Sequence, residues 1–110
     1  MQVYLALVPD EERDVSAAVE QAINEWLAEG KESITFIAAE QGGPGLEVAM
    51  ASKLALKEPL NALQAIATKQ KCNFVVGSID AESGEREDVC YFGHEEGRPD
   101  LHEIACYLGG

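Results

Sequence analysis

The sequence predicts an α+β fold: a ferredoxin-like βαββαβ sandwich with an additional C-terminal strand and short helix. Three observations lead there. An apolar strand pattern at residues 2–8 is followed by an amphipathic helix pattern ending near Leu27. A second strand pattern at 34–39 passes through a glycine-rich turn into a further alternating segment. A helical stripe beginning at Pro59 then leads into an apolar strand at 74–79. The order strand, helix, strand, strand, helix, strand matches the split βαβ arrangement, whose four-stranded antiparallel sheet holds both main helices on one face. The alternative is a three-layer α/β variant in which residues 46–70 are helical.

In the first strand, Val3, Leu5 and Leu7 fall on one side and Tyr4, Ala6 and Val8 on the other. Both sides are mostly apolar, as in a strand covered on two faces. The second face is therefore expected to be closed by the last helix or by a second subunit, as in a homodimer. Pro9 and Asp10 end the strand, with Asp10 a candidate helix N-cap. Val15, Ala18, Val19, Ala22, Ile23, Trp26 and Leu27 recur at three- and four-residue spacing, one buried helical face, and Gly30 is placed to close the helix. Trp26 belongs to that stripe and is expected in the core.

Ile34, Phe36 and Ala38 alternate with Thr35, Ile37 and Ala39, and Gly42-Gly43-Pro44-Gly45 reads as a turn. It lacks the Lys-Ser/Thr of a phosphate-binding loop. Leu46, Val48, Met50, Leu54 and Leu56 then sit at even positions with charged residues between them, which favours a returning strand over helix for 46–56. Pro59 suits a first helical turn, and Leu60, Leu63, Ile66 and Ala67 give a buried face through to Gln70. After the strand at 74–79, an acidic loop from Asp80 to Asp88 turns the chain into a strand at 89–92. Pro99 and Asp100 open a short last helix with Leu101, Ile104, Ala105 and Leu108 inward.

A chain of 110 residues is read as a single acidic α+β domain spanning 1–110, long enough for a core without disulfide or metal staples. Its formal net charge is -12. Residues 1–30 hold seven acids and one base, residues 31–71 four acids and five bases, and residues 72–110 nine acids and two bases. The negative charge thus belongs to the two ends of the sequence. Such a field repels nucleic acid and anionic membrane and favours basic partners. Three cysteines cannot all pair within the chain, and no signal-peptide pattern opens it, so a reducing, cytoplasmic setting is expected.

Cys90-x3-His94 followed by His102-x3-Cys106 offers four zinc-type ligands, two of them on one helix flank. The spacing matches no common zinc pattern, and Gly93 interrupts the strand between the first two. The competing reading is two buried cysteines and two surface histidines. A Cys–His catalytic pair lacks a local signature, and acidic surroundings oppose the low thiol pKa that a nucleophile needs. A calcium loop starting at Asp80 fails because Glu85 stands where glycine is needed and Tyr91 where glutamate is needed.

No catalytic constellation emerges, no cofactor is implied, and a non-enzymatic role is expected. The leading expectation is a small acidic binding protein that occupies a basic surface of a partner protein, most naturally a nuclease or nucleic-acid-handling complex, as immunity and anti-CRISPR proteins do. The candidate contacts are Glu11, Glu12, Asp14, Glu82, Glu85, Glu87 and Asp88. Tyr91 and Tyr107 join them, since a tyrosine supplies apolar area and a hydroxyl together. The second expectation is a ferredoxin-like regulatory or sensor domain that dimerises or binds a small ligand through its sheet face.

Overall fold

The computed structural model describes residues 2–9, 14–29, 34–38, 44–49 and 53–107. Strand β1 (Gln2–Leu7) leads to helix α1 (Ser16–Leu27), then to β2 (Ile34–Ile37) and β3 (Gly45–Ala49). A 3-10 turn (Lys53–Leu56) runs directly into α2 (Lys57–Gln70), followed by β4 (Asn73–Ile79), β5 (Arg86–Gly93) and α3 (Leu101–Tyr107). The strands form one sheet in the order β2-β3-β1-β4-β5, antiparallel at every junction. The architecture is α+β: a five-stranded antiparallel sheet and, among the described residues, three α-helices.

Alternation along the strands decides which residues meet the helices. Val3 and Leu5 of β1, Leu46 and Val48 of β3, Phe74 and Val76 of β4 and Phe92 of β5 share one face. Val19 and Ile23 of α1, Leu60, Leu63 and Ala67 of α2 and Ile104 of α3 pack onto it. Each large apolar side chain buried there contributes about 1.5–3 kcal/mol of transfer free energy. Phe74 and Phe92 stack with ring centroids 5.7 Å apart. Trp26 is half-buried at the margin of this cluster.

Several sequence expectations are corrected. Helix α1 starts at Ser16, and the carboxylate in reach of its first turn is Asp14, whose Oδ1 accepts the Ser16 amide at 3.0 Å. Asp10 and Gly30 lie outside the described residues. The alternating segment is a strand only over Gly45–Ala49, and Lys53–Leu56 is a 3-10 turn. That strand equally removes the variant with 46–70 wholly helical. Gly45 is not part of a turn but the first residue of β3, paired with Ala6 and Ile37. A Cβ there would strike the Leu5 carbonyl oxygen and come within 2.8 Å of the Ala6 Cα. Glycine lets β3 approach β1 at that point. Strand β5 begins at Arg86, so Glu87 and Asp88 are strand residues rather than loop residues.

Helix α3 does not cover the second face. Its buried residue, Ile104, lies in the main cluster on the same side as α1 and α2. The second face carries its own small cluster of Tyr4, Ala6 and Ile37, with Val75 and Ile79 packed beside them. This explains why the first strand is apolar on both sides. Tyr4 is only 2% exposed, and among the described residues its cluster consists of strand residues.

Candidate partner-binding surface

The β4–β5 hairpin is an ordered turn. Asp80 Oδ1 accepts the amides of Glu82 at 2.8 Å and Ser83 at 3.3 Å. The Asp80 amide donates to the Glu85 carbonyl, the Gly84 amide to the Asp80 carbonyl, and the Glu85 amide to the Ser83 hydroxyl. Gly84 takes φ 74, a left-handed conformation that glycine adopts without penalty. One aspartate side chain thus organises the loop by the Asx-turn chemistry typical of its residue type. The Glu82, Glu85 and Glu87 side chains are left exposed around it.

Beyond the turn, β5 changes faces. Gly77 pairs with Asp88 but Val76 pairs with Cys90, so Val89 is an extra residue in the ladder. This is a β-bulge, which leaves one residue unpaired and resets the alternation of side chains. Val89 and Cys90 both pack against the main core. Asp88 and Tyr91 become successive residues on the second face although they are three apart in sequence.

Across that face, Glu47, Tyr4, Gly77 and Asp88 lie in register on β3, β1, β4 and β5. The Tyr4 hydroxyl donates to Asp88 Oδ1 across the intervening strand. Gly77 makes this reach feasible: a Cβ there would lie 2.6 Å from the Tyr4 hydroxyl oxygen. A tyrosine ring laid over a strand glycine covers backbone that would otherwise be bare. The Arg86 guanidinium sits over the ring, its Cζ 5.2 Å from the centroid. Burial, reinforced by the hydrogen bond to Asp88 and its negative charge, raises the Tyr4 pKa well above the usual tyrosine range. Tyr91 is the large hydrophobic residue that stands exposed among the described residues, at 48%.

The sequence-derived contacts are only partly brought together. Glu82, Glu85, Glu87, Asp88 and Tyr91 share the hairpin and its outgoing strand. Asp14 lies at the other end of the sheet. Leu7, which leads toward Asp14, pairs with the start of β4 at Phe74, whereas the hairpin follows Ile79, paired with Gln2. Glu11, Glu12 and the Tyr107 side chain lie outside the described residues. Tyr4, Arg86 and Gly77 were not expected at the site. The interior glycine of an apolar strand was the available signal, since such a glycine marks a bulge or a close approach.

Cys90, His94, His102 and Cys106 are not gathered into a ligand set; among the described residues no group of three or more His, Cys, Asp or Glu could hold a metal ion. Cys90 is half-buried, and His94, His102 and Cys106 are exposed. The His94 amide donates to the Cys72 carbonyl at 2.9 Å, in the tight turn that follows β5. Burial pushes the Cys90 thiol pKa up, and the nearby Glu103, Glu96 and Asp100 push it further. The thiol is thus held in its less nucleophilic, protonated form.

No helix of the described residues is long and apolar enough to cross a membrane. No family model matches the chain, and neither the curated proteins nor the solved structures contain a significant match.

Proposed function

We propose that this chain is a small acidic, non-enzymatic binding protein that occupies a basic surface of a partner protein, such as the nucleic-acid-binding surface of a nuclease or a related complex. The observation that carries the proposal is the hairpin. It holds Glu82 and Glu85 exposed on a hydrogen-bonded turn, with Glu87, Asp88 and the exposed Tyr91 following on the outgoing strand. Carboxylates on an ordered turn need little further fixing when they bind, which lowers the entropic cost of association. A dense negative surface also steers a basic partner and speeds encounter. The strand order β2-β3-β1-β4, antiparallel throughout, supports a ferredoxin-like scaffold with β5 added at the edge beside β4.

The reading is tested by capture from the native host with wild-type protein and with the Glu82→Lys/Glu85→Lys/Glu87→Lys variant, washed at about 0.05 and 0.3 M salt. The expected result is a basic nucleic-acid-handling protein retained at low salt, released at high salt and absent from the variant. A partner retained equally by both proteins, or one without a basic surface, contradicts the proposal.

A second reading has its own support. The cluster of Tyr4, Ala6 and Ile37, flanked by Val75 and Ile79, suits a regulatory domain that pairs through this sheet face. A concentration-dependent dimer in sedimentation velocity would favour it.

A further inference from the structure

The second sheet face already holds one guanidinium, that of Arg86 over the ring of Tyr4. The bulge at Val89 places Tyr91 next after Asp88 on the same face, giving a carboxylate beside an aromatic ring that is 48% exposed. Glu47 adds a second carboxylate in the row of Tyr4 and Asp88. Ile79 and Arg86 of this face also line a groove of about 460 Å³ at the hairpin end, shared with Asp80 and Glu85 of the turn and with Ser78 and Glu87, which pair on the helix-facing side of the sheet. The described lysines whose side chains are exposed, Lys57, Lys69 and Lys71, belong to α2 or its C-terminal cap, on the helical side of the sheet.

We propose that this face, centred on Asp88 and Tyr91, is the docking surface for an arginine-bearing segment of the basic partner, with a guanidinium lying on the Tyr91 ring. The inference rests on the acidic-binder reading and names the chemistry of the contact. Charge complementarity selects a cation, and the stacked ring selects arginine over lysine. A planar guanidinium lies flat on an aromatic ring and is less strongly hydrated than an ammonium. A second copy of this chain is the poorer occupant, since each copy would bring two carboxylates, Asp88 and Glu47, against one guanidinium that already lies over Tyr4.

The experiment titrates the protein at low salt with a short arginine–glycine peptide and with its lysine-for-arginine counterpart. Affinity is read by calorimetry and the site by NMR shifts of the β5 amides. The arginine peptide is expected to bind about two- to five-fold more tightly, as a cation–π contact at an exposed site allows. Tyr91→Ala removes that preference, and Tyr91→Phe, which keeps the ring, retains it. The Glu82→Lys/Glu85→Lys/Glu87→Lys variant weakens both peptides alike. Equal binding of the two peptides by wild type, or a preference that survives Tyr91→Ala, overturns the docking surface and leaves the acidic-binder reading standing. Failure of both peptides to bind overturns both readings. A homodimer dispersed by Tyr91→Ala assigns the face to a second copy and overturns the proposal.

Discussion

Tyr4 joins two strands that are not neighbours in the sheet. Its hydroxyl crosses β4 above Gly77 to reach Asp88 on the edge strand, and Arg86 closes over its ring. The hydroxyl proton is held more tightly in the folded chain than in the unfolded one, because burial and the Asp88 carboxylate both disfavour a phenolate. A raised folded pKa contributes stability that is fully present below the unfolded value, about 10, and is lost as pH rises beyond it. Wild-type stability is therefore expected to fall with pH above about 10 with a slope that Tyr4→Phe lacks. Urea midpoints across pH 9–11, on the order of the unfolded tyrosine pKa, provide the check. Equal slopes for the two proteins would mean that the hydroxyl does not hold Asp88. Asp14 behaves in the opposite sense. The Ser16 hydroxyl, and next the Ser16 amide, hold its carboxylate pKa below the ordinary range. Its contribution is present at neutral pH and is lost as pH falls through the acid range.

At the scale of elements, the bulge in β5 decides what the hairpin presents. With strict alternation, Asp88 would share a face with Cys90 and Phe92 and would point at the helices. The extra residue allows Phe92 to be buried while Asp88 and Arg86 stay with Tyr4. Deleting Val89 forces one of two costs: a carboxylate turned into the core or Phe92 turned out of it. The expected loss is about 3–5 kcal/mol, the scale of removing a buried aromatic side chain. Val89→Ala keeps the residue count and is expected to cost about 1 kcal/mol, since it trims a half-buried side chain without changing the register. Similar denaturant midpoints for the two variants would show that the register matters less than the side chain. The same element shows what a sequence can and cannot disclose. The buried faces of α1 and α2 follow from spacing, because a stripe such as Val19–Ile23 or Leu60–Leu63–Ala67 repeats with the helix period. The two-sided burial of β1 follows from Tyr4 and Ala6 as much as from Val3 and Leu5. A bulge leaves no comparable periodic trace, since one inserted valine in an apolar run looks like more strand. Spacing does not fix the start of α1, because Asp10 and Asp14 are both plausible caps by residue type. The 3-10 turn is hidden in the sequence because Leu54 and Leu56 continue the even-numbered pattern of β3, and a two-residue period ends without notice when no glycine or proline marks it.

For the molecule as a whole, topology separates acids that the sequence groups only by position along the chain. The hairpin acids follow Ile79, at the end of the sheet where β1 begins. Asp14, Glu95 and Glu96 lie toward the other end, the latter two with amides that donate to the Asn73 side chain at the start of β4. Lys71 caps α2 two residues before that same strand start, whereas the hairpin itself carries one base, Arg86, and that base is drawn over Tyr4. Among the described residues, the hairpin thus groups five acids with one base. With a net charge of -12, the folded chain concentrates like charges that the expanded chain keeps farther apart. Screening should therefore favour the folded state. Raising salt from about 0.02 to 0.3 M shortens the Debye length from roughly 20 to 6 Å, below the spacing of many surface charges. The melting temperature is expected to rise by several degrees, about 4–8 °C for each kcal/mol of relieved repulsion. Glu82→Gln/Glu85→Gln/Glu87→Gln should start from a higher melting temperature and gain less from salt. A wild-type melting temperature that falls with salt would mean that attractive ion pairs outweigh the repulsion. In that case the hairpin would not be the concentrated negative surface that the proposed recognition of a basic partner requires.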